Sequence, residues 1–245
     1  MTLTEQLLAA RQEGKALPLS AIKPPATMAA AYAVQQEISR TLGAIGGWKV
    51  GAAGPDAPVS GAPLPAAGIL PSGAVLGPEF TDRLIESEIA FRLARDLPPR
   101  AAPYARDEII AAIGSCHPVI EVVQWRLEGF PNIPEALKLA DGIGHGGLIV
   151  GAAIDNWQAL DFPALTVTQE IAGTEPKHGT GNPAGDMIRL IAWLADEGAV
   201  WSGGLRAGQI VTCGSWTGAL PAPAGAAVRV GFAGITPVTV SFGPA

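Results

Sequence analysis

The sequence predicts an α+β protein in which a helical N-terminal part precedes a β-rich core. Helical spacing of apolar residues marks the start of the chain, where Leu3, Leu7 and Leu8 share one side of a helix. Beyond residue 46, short apolar stretches with strand-like alternation recur between turns, and 31 glycines and 22 prolines supply those turns. We therefore expect a helical segment over residues 1–45 and a β-rich core over residues 46–245.

The bulk composition fits a compact globular chain. The chain has 245 residues, 48% of them hydrophobic and 16% charged, which allows a sizeable core and excludes a disordered polymer. A net charge of -6 argues against nucleic acid or an anionic membrane as a partner. Neither a signal peptide nor a run of 18 apolar residues is visible, so we expect a cytoplasmic protein. Cys116 and Cys213 are expected as reduced, buried thiols.

The first 80 residues predict two helices and a long irregular segment. Residues 3–13 predict a helix that ends at Gly14, and residues 27–42 predict a second helix with one apolar side. Residues 52–80 are rich in alanine, glycine and proline, which predicts a loop with small strands. Such a long segment inside a compact domain is often a lid or a pocket wall.

The rest of the chain predicts mostly strands. Alternating or continuous apolar stretches predict strands over 46–51, 84–93, 117–125, 165–171, 208–214, 228–232 and 237–242. Helical spacing predicts helices over 106–113 and 182–194. Residues 127–137 are expected to form a loop, because proline and glycine interrupt them.

Two carboxylates stand on one face of the 84–93 strand. Side chains alternate between the two faces of a strand, so Glu86 and Glu88 share a face while Ile85 and Ile89 share the apolar one. Two carboxylates on a half-buried face repel each other and lose hydration. A hard divalent cation such as Mg²⁺, Mn²⁺ or Ca²⁺ relieves both problems. A solvated strand face with two exposed glutamates is the alternative.

Glu121 and Lys49 are single charges in otherwise apolar strands. Glu121 needs a partner, which a cation, an ion pair with Arg126 or a surface edge would supply. A buried Lys49 requires a carboxylate or a chemical role, whereas an edge position would let its amine reach solvent. If the strand of Glu121 lies beside the 84–93 strand, three carboxylates meet at one point and form a plausible Mg²⁺ site.

An ordered set of short motifs resembles the fumarylacetoacetate hydrolase superfamily. Within it, the chain is most similar to the branch of 2-keto-4-pentenoate hydratases and 2-oxo-3-hexenedioate decarboxylases. The order of the motifs is more specific than any one of them, above all the Glu-x-Glu strand followed by an isolated Glu. The resemblance begins near residue 29, and its motifs lie at 31–35, 47–51, 85–91, 120–123, 140–142, 181–183 and 208–214.

The resemblance implies a mixed, rolled β-sheet core with a helical N-terminal part. It implies a Mg²⁺ or Mn²⁺ cofactor held by Glu86, Glu88 and Glu121, which chelates the 2-oxo or enol oxygen and a carboxylate oxygen of the substrate. It also implies two catalytic residues. Lys49 would move a proton to or from carbon, with its pKa lowered toward working pH, and Asp141 would orient Lys49 or a water.

The resemblance further implies the reaction and the setting. Gly142, Thr212, Gly214 and Ser215 are expected to bind substrate, although the family usually has asparagine where Gly142 stands. The expected activity is that of a lyase in aromatic compound catabolism. It is a hydratase that adds water to a 2-hydroxydienoate through a metal-stabilised enolate and yields a 4-hydroxy-2-oxo acid. The expected partner is this small 2-oxo acid, and the expected assembly is a homo-oligomer.

Other assignments stay open because the chain departs from the family pattern. Gln209 stands where aspartate is frequent, and His145 has either a pocket role or a structural one. Arg126 or Lys138 would favour a 2-oxo-3-hexenedioate-type decarboxylase by binding a second substrate carboxylate. An acylpyruvate-type hydrolase would need an N-terminal His-Glu pair, but no histidine precedes His117. A non-catalytic binder of 2-oxo acids is a further alternative.

Overall fold

The structure, a computed structural model that describes residues 1–244, confirms the α+β class. The helices are α1 (Leu3–Glu13), α2 (Met28–Leu42), α3 (Arg106–Ala112), α4 (Glu135–Ala140) and α5 (Met187–Trp193). The strands are β1 (Ile45–Gly51), β2 (Ser60–Pro65), β3 (Ile69–Pro71), β4 (Ala74–Leu76), β5 (Leu84–Leu93), β6 (Ile113–Val123), β7 (His145–Val150), β8 (Thr166–Ile171), β9 (Lys177–Thr180), β10 (Ile210–Thr212), β11 (Leu220–Pro221), β12 (Ala227–Phe232) and β13 (Val238–Phe242).

The first two helices form where the sequence predicts them. The hydroxyl of Thr2 accepts a hydrogen bond from the Glu5 amide and caps α1, and Gly14 ends the helix in the left-handed conformation. Helices α1, α2 and α4 pack together around one apolar cluster, which includes Leu7, Ala31 and Leu137. The N-terminal helices are thereby fixed beside the loop between α4 and β7.

Two mixed sheets form the β-rich part. The larger, 8-stranded sheet has the order β2-β1-β10-β5-β6-β7-β3, with β11 paired to β5, and it contains both parallel and antiparallel neighbours. The 5-stranded sheet has the order β4-β13-β12-β8-β9 and packs on β6 and β7. Strand β5 lies near the middle of the larger sheet, with Ile85, Ile89 and Phe91 fully buried in the main core.

The larger sheet rolls up, so that its second face is also an interior. The 3₁₀ turn at residues 66–68, between β2 and β3, contacts both β1 and β7, which are separated in the sheet by three other strands. The enclosed face carries its own apolar cluster, to which Leu64, Ala90 and Leu148 belong. The rolled core is therefore confirmed, and polar side chains on this inner face must find partners inside the roll.

Several elements differ from the sequence prediction. Helix α4 begins within the expected 127–137 loop, strand β9 forms where no element was predicted, and β6 begins at Ile113 instead of residue 117. The 52–80 segment holds three short strands, as predicted. Helix α5 begins at Met187 instead of residue 182. Asn182 explains this late start, because its amide donates to the Cys213 carbonyl and its oxygen accepts from Ala184. No helix among residues 1–244 is long and apolar enough to cross a membrane.

The cysteines are free and buried, as predicted. Burial raises the pKa of Cys116 to about 12 and that of Cys213 well above its ordinary value. Both sulfurs therefore stay protonated near neutral pH and act as small apolar groups.

Candidate metal centre and its lysine

Strand register brings the three predicted acids together. In the antiparallel β5–β6 pair, Glu86 lies directly opposite Glu121, and Glu88 follows two residues along β5 on the same face. Directly opposite side chains have Cβ atoms about 5 Å apart. One carboxylate oxygen from each of the three residues lies within 4.8 Å of the others. The cluster therefore sits on the inner face of the rolled sheet.

The carboxylates are largely shielded from water. Glu121 is fully buried, Glu88 is 2% exposed, and Glu86 is half-buried. The alternative of a solvated strand face is therefore wrong for this cluster. Burial, opposed by Lys49 and reinforced by Glu121, raises the pKa of Glu86 to about 7. Burial and the two other carboxylates raise the pKa of Glu88 well above its ordinary value.

Lys49 lies inside the cluster rather than at a sheet edge. Strand β10 lies between β1 and β5 and pairs Lys49 with Thr212, which orients the lysine side chain toward the same face as the acids. Its Nζ lies 2.5 Å from Glu121 Oε1 and donates to the Ile143 carbonyl at 3.0 Å. Lys49 is only 8% exposed, so the alternative in which it reaches solvent is wrong.

The charges in the cluster set each other's ionisation. Burial alone would lower the pKa of Lys49, but Glu121, Glu86 and Glu88 together raise it above its ordinary value. The expected lowering of the lysine pKa depends on a nearby cation as well as on burial, so it stays a prediction. Burial alone would raise the pKa of Glu121, yet Lys49 and His145 hold it below its ordinary value. Lys49 and Glu121 thus form a charged pair.

The free oxygens of the cluster fit a hard divalent cation. Glu121 Oε2 is buried and has no hydrogen-bond partner among the described residues, while Oε1 is occupied by Lys49. One oxygen of Glu88 is held by Thr212 and by the Gly214 amide. These carboxylate oxygens outnumber the hydrogen-bond donors around them. Carboxylate oxygens are also the ligands that Mg²⁺ and Mn²⁺ prefer. Glu86, Glu88 and Glu121 are the residues that would hold the ion.

The carboxylate of Asp141 pairs with Arg126 and not with Lys49. Its Oδ1 lies 2.5 Å from Arg126 Nε, and its Oδ2 accepts from the Arg126 backbone amide at 2.9 Å. Both side chains are buried. Arg126 is therefore not free to bind a second substrate carboxylate, and Lys138 forms a surface pair with Glu135 at 2.7 Å. The structure thus argues against the alternative in which Arg126 binds a second substrate carboxylate, and it pairs Lys138 with Glu135 instead.

The Arg126–Asp141 pair shapes the turn that supports Lys49. Gly142, Ile143 and Gly144 all have positive φ, between 53° and 67°, in the turn that connects α4 to β7. A side chain at Gly144 would collide with the Trp125 ring, since a Cβ there would lie 2.7 Å from it. This tight turn places the Ile143 carbonyl beside Lys49, two residues after Asp141. The predicted role of Asp141 toward the lysine stays a prediction.

The predicted substrate-binding residues surround the cluster in different ways. Thr212 and Gly214 donate to Glu88, at the end of β10. The hydroxyl of Ser215 is buried without a partner among the described residues. Gly142 borders a small cavity of about 30 Å³ between the N-terminal helices and the sheet. Their contact with substrate stays a prediction.

His145 and Arg11 are the neighbours that the sequence analysis did not place. His145 Nδ1 lies 3.2 Å from Glu121 Oε1, and burial lowers the pKa of its imidazole. Arg11, on α1, donates from Nη2 to the His145 carbonyl at 2.9 Å, which Arg126 also contacts. Only the departure of His145 from the family pattern drew attention to it, and Arg11 gave no signal within its amphipathic helix.

The relatives found by comparison with known proteins are named as hydratases or as a decarboxylase. No family model matches the chain. The 2-hydroxyhexa-2,4-dienoate hydratase of Comamonas testosteroni is 28% identical over 141 residues, which are 57% of this chain and 52% of the relative. The chain thus aligns with only about half the length of that hydratase. The 4-oxalocrotonate decarboxylase of Pseudomonas sp. (strain CF600) is 27% identical over 241 residues, covering 89% of this chain and 87% of the relative.

Solved structures extend the similarity to the whole fold. The 4-oxalocrotonate decarboxylase from Pseudomonas putida G7, complexed with magnesium and adipate, superposes with a TM-score of 0.82 at 25% identity and covers 99% of both chains. A fumarylacetoacetate hydrolase family protein from Yersinia pestis CO92 superposes with a TM-score of 0.59 at 17% identity, over 80% of this chain and 92% of the other. At that identity, the second comparison concerns the fold alone.

Proposed function

We propose that this chain, which shares the fold of the fumarylacetoacetate hydrolase superfamily and has hydratase and decarboxylase relatives, is a divalent-metal-dependent hydratase. The resemblance seen in its motifs is confirmed by that fold and those relatives. The proposed reaction adds water to a 2-hydroxydienoate of the 2-keto-4-pentenoate type and yields a 4-hydroxy-2-oxo acid. Mg²⁺ or Mn²⁺ is the proposed cofactor.

The observation that carries the proposal is a buried lysine inside a carboxylate cluster. Lys49 Nζ lies 2.5 Å from Glu121, and the oxygens of Glu86, Glu88 and Glu121 converge within 4.8 Å. A purely structural ion pair would need one carboxylate for one lysine. Two further acids with raised pKa values cost stability, since each resists ionisation in the folded state. Such clusters are typical of functional sites.

The residues of the chain divide the chemistry between them. A bound divalent cation would stabilise negative charge that develops on the 2-oxo oxygen of the substrate. Lys49, held by Glu121 and the Ile143 carbonyl, would deliver or remove a proton at carbon. A cation bound by the three carboxylates would neutralise part of their negative charge. The carboxylates would then stabilise the charged form of Lys49 less, and the pKa of Lys49 would fall toward working pH. Leu64 and Leu148 line the apolar interior next to the cluster and exclude bulk water.

A second candidate is the decarboxylation of a 2-oxo-3-hexenedioate-type diacid. Arg11 favours it, because this half-buried cation borders a cavity of about 470 Å³ that Gly68 and His145 also line. Burial and the nearby Arg126 lower the pKa of Arg11 to about 10, so it stays charged near neutral pH. A distal substrate carboxylate in that cavity would pair with Arg11. The alignment with a decarboxylase over most of the chain agrees with this option.

One experiment separates the two candidates. Purified protein with Mg²⁺ is offered 2-hydroxypenta-2,4-dienoate and, separately, 2-oxo-3-hexenedioate, while ultraviolet absorbance and CO₂ release are followed. A hydratase consumes the first compound without CO₂, and a decarboxylase releases CO₂ from the second. If neither compound turns over, the proposed function fails. Glu86→Gln serves as the control, since it removes one carboxylate and should abolish either activity.

The proposal also includes a cytoplasmic homo-oligomer. Several large apolar side chains are exposed on the single chain, among them Val75, Phe130 and Val200. Burial of such side chains between copies of the chain would be favourable. Light scattering of the purified protein measures the assembly directly, and a monomeric mass would contradict this part of the proposal.

A further inference from the structure

We propose that Gln169 positions the metal centre from the opposite face of β5, an inference that rests on the metal centre of the proposed function. Gln169 lies on β8 in the smaller, 5-stranded sheet and is 1% exposed. Its side chain contacts the 213–217 segment, which we define as the residues that directly follow β10. The smaller sheet thereby sets the geometry of the carboxylates in addition to packing on β6 and β7.

The 213–217 segment holds the carboxylate of Glu88. The Gly214 amide donates to Glu88 Oε2 at 3.0 Å, and the hydroxyl of Thr212, the last residue of β10, donates to the same oxygen. Two donors on one oxygen fix the plane of the carboxylate and the direction of its other oxygen. Hydrogen bonds of this kind orient the ligands of a metal ion. A displacement of Gly214 therefore turns the Glu88 carboxylate.

Gln169 fastens this segment to β5. Its Oε1 accepts from the Thr217 hydroxyl at 2.7 Å and from the Ser87 hydroxyl at 2.6 Å. The backbone amide of Ser87 donates to the Thr217 hydroxyl at 3.3 Å, and the Ser87 carbonyl accepts from the Trp216 amide at 2.9 Å. Ser87 stands between the first two acids of the cluster but faces the other side of the sheet. One amide oxygen thus joins the segment to the strand that carries those acids.

The hydrogen-bond network around Gln169 is buried. Ser87 is fully buried, and Thr217 is 7% exposed. The Gln169 amide also donates from Nε2 to the Ile85 carbonyl at 3.4 Å, so both ends of the amide bind β5. Since water is excluded there, an apolar residue at position 169 leaves two hydroxyls without their acceptor. Each such loss costs about 1–3 kcal/mol, which a shift of the segment away from β5 relieves.

Other contacts of the smaller sheet reach the same segment. Gly179 on β9 approaches the backbone of Trp216 so closely that a Cβ there would collide with the Trp216 carbonyl. The Trp216 ring packs edge-to-face on Phe232 of β12, with 5.1 Å between the ring centroids. These contacts are steric or apolar and limit the distance between the sheet and the segment. Hydrogen bonds also depend on direction, so Gln169 sets how the segment lies along β5.

The Mn²⁺ affinity of purified variants tests this role, because binding of Mn²⁺ needs no substrate and no turnover. Gln169→Leu removes the amide, and Thr217→Val removes the hydroxyl with little change in shape. Both should raise the Kd for Mn²⁺, measured by electron paramagnetic resonance, by about 10–100-fold. Thr217→Ser keeps the hydroxyl and should stay within about threefold of the unmodified protein. The double variant should raise the Kd by less than the product of the two single increases, because both substitutions break one link.

Thr4→Val is the matched control for a lost buried hydroxyl. Thr4 is 5% exposed, and its hydroxyl donates to Glu37 at 2.6 Å within the N-terminal helices. Thr4→Val should lower Tm by an amount similar to that of Thr217→Val, but it should leave the Kd for Mn²⁺ within about threefold of the unmodified protein. Thermal unfolding of each variant shows whether it is folded at the temperature of the titration.

The outcomes separate a positioning role from a general effect on stability. Unchanged Mn²⁺ affinity in folded Gln169→Leu and Thr217→Val overturns the proposal. Equal affinities of Thr217→Val and Thr217→Ser also overturn it, and this pair decides the question if Gln169→Leu does not fold. An affinity loss in Thr4→Val as large as that in Thr217→Val overturns it as well, because any loss of stability would then weaken binding. No Mn²⁺ binding by the unmodified protein instead rejects the metal centre of the proposed function.

Discussion

Replacement of Lys49 with methionine removes the cation that pairs with Glu121 in the rolled sheet. The two side chains are 10% and 0% exposed and lie 2.5 Å apart. Removal of one partner from a buried pair costs about 3–5 kcal/mol, because the other charge stays buried and uncompensated. Here the cost has an additional cause, since Glu86 and Glu88 crowd the same point. We therefore expect a metal-free Lys49→Met protein to be destabilised by about this amount.

The assay is thermal unfolding with and without Mg²⁺. For a chain of this size, 1 kcal/mol corresponds to about 2–4 °C in Tm, so Lys49→Met should unfold about 6–20 °C earlier. Saturating Mg²⁺ should recover most of this difference, because a cation replaces the lost charge. Glu121→Gln in the same chain should also recover stability, which a double-mutant cycle measures. Equal stability of Lys49→Met and the unmodified protein, or no gain from Glu121→Gln, would refute the reasoning.

Three other predictions concern charges around the cluster. Because the pKa of Glu86 is raised to about 7, the folded metal-free chain binds more protons than the unfolded one between about pH 4.5 and 7, and its stability falls as pH rises through that window. The Mg²⁺-induced rise in Tm should therefore be larger at pH 8 than at pH 5, and Glu86→Gln should reduce this difference between the two pH values. An equal rise at both pH values would contradict the raised pKa of Glu86. Arg126→Met should lower the free energy of unfolding in urea by about 3–5 kcal/mol, with partial recovery from an added Asp141→Asn; no recovery would argue against their pairing. Arg11→Gln should lower kcat/KM for 2-oxo-3-hexenedioate by about 10–100-fold and that for 2-hydroxypenta-2,4-dienoate by less than about threefold, if Arg11 binds a distal carboxylate; equal losses would reject that role.

The residues of the cluster could be predicted because they depend on local alternation and on family motifs. The two-residue period of the 84–93 strand places Glu86 and Glu88 on one face whatever the rest of the fold does. The isolated Glu121 lies in an apolar strand, and an acid in such a setting must find a partner. Its position opposite Glu86 then follows from one antiparallel register.

The partners of these residues could not be predicted, because they depend on how distant elements meet. Lys49 reaches Glu121 only because β10 inserts between β1 and β5 and the sheet rolls up. Arg126 and Asp141 are separated by helix α4, a six-residue helix whose flanking proline and glycine suggested a loop. Arg11 comes from the opposite end of the chain through the packing of α1. Periodicity describes the faces of elements, whereas tertiary packing decides which faces touch.

The most direct measurement of the central claim is a titration of the purified protein with Mn²⁺, followed by electron paramagnetic resonance. Glu86, Glu88 and Glu121 as a metal centre predict one bound Mn²⁺ per chain, displaced by Mg²⁺ and lost in a folded Glu88→Gln variant. No bound Mn²⁺ in the unmodified protein, or undiminished binding in Glu88→Gln, would contradict the account.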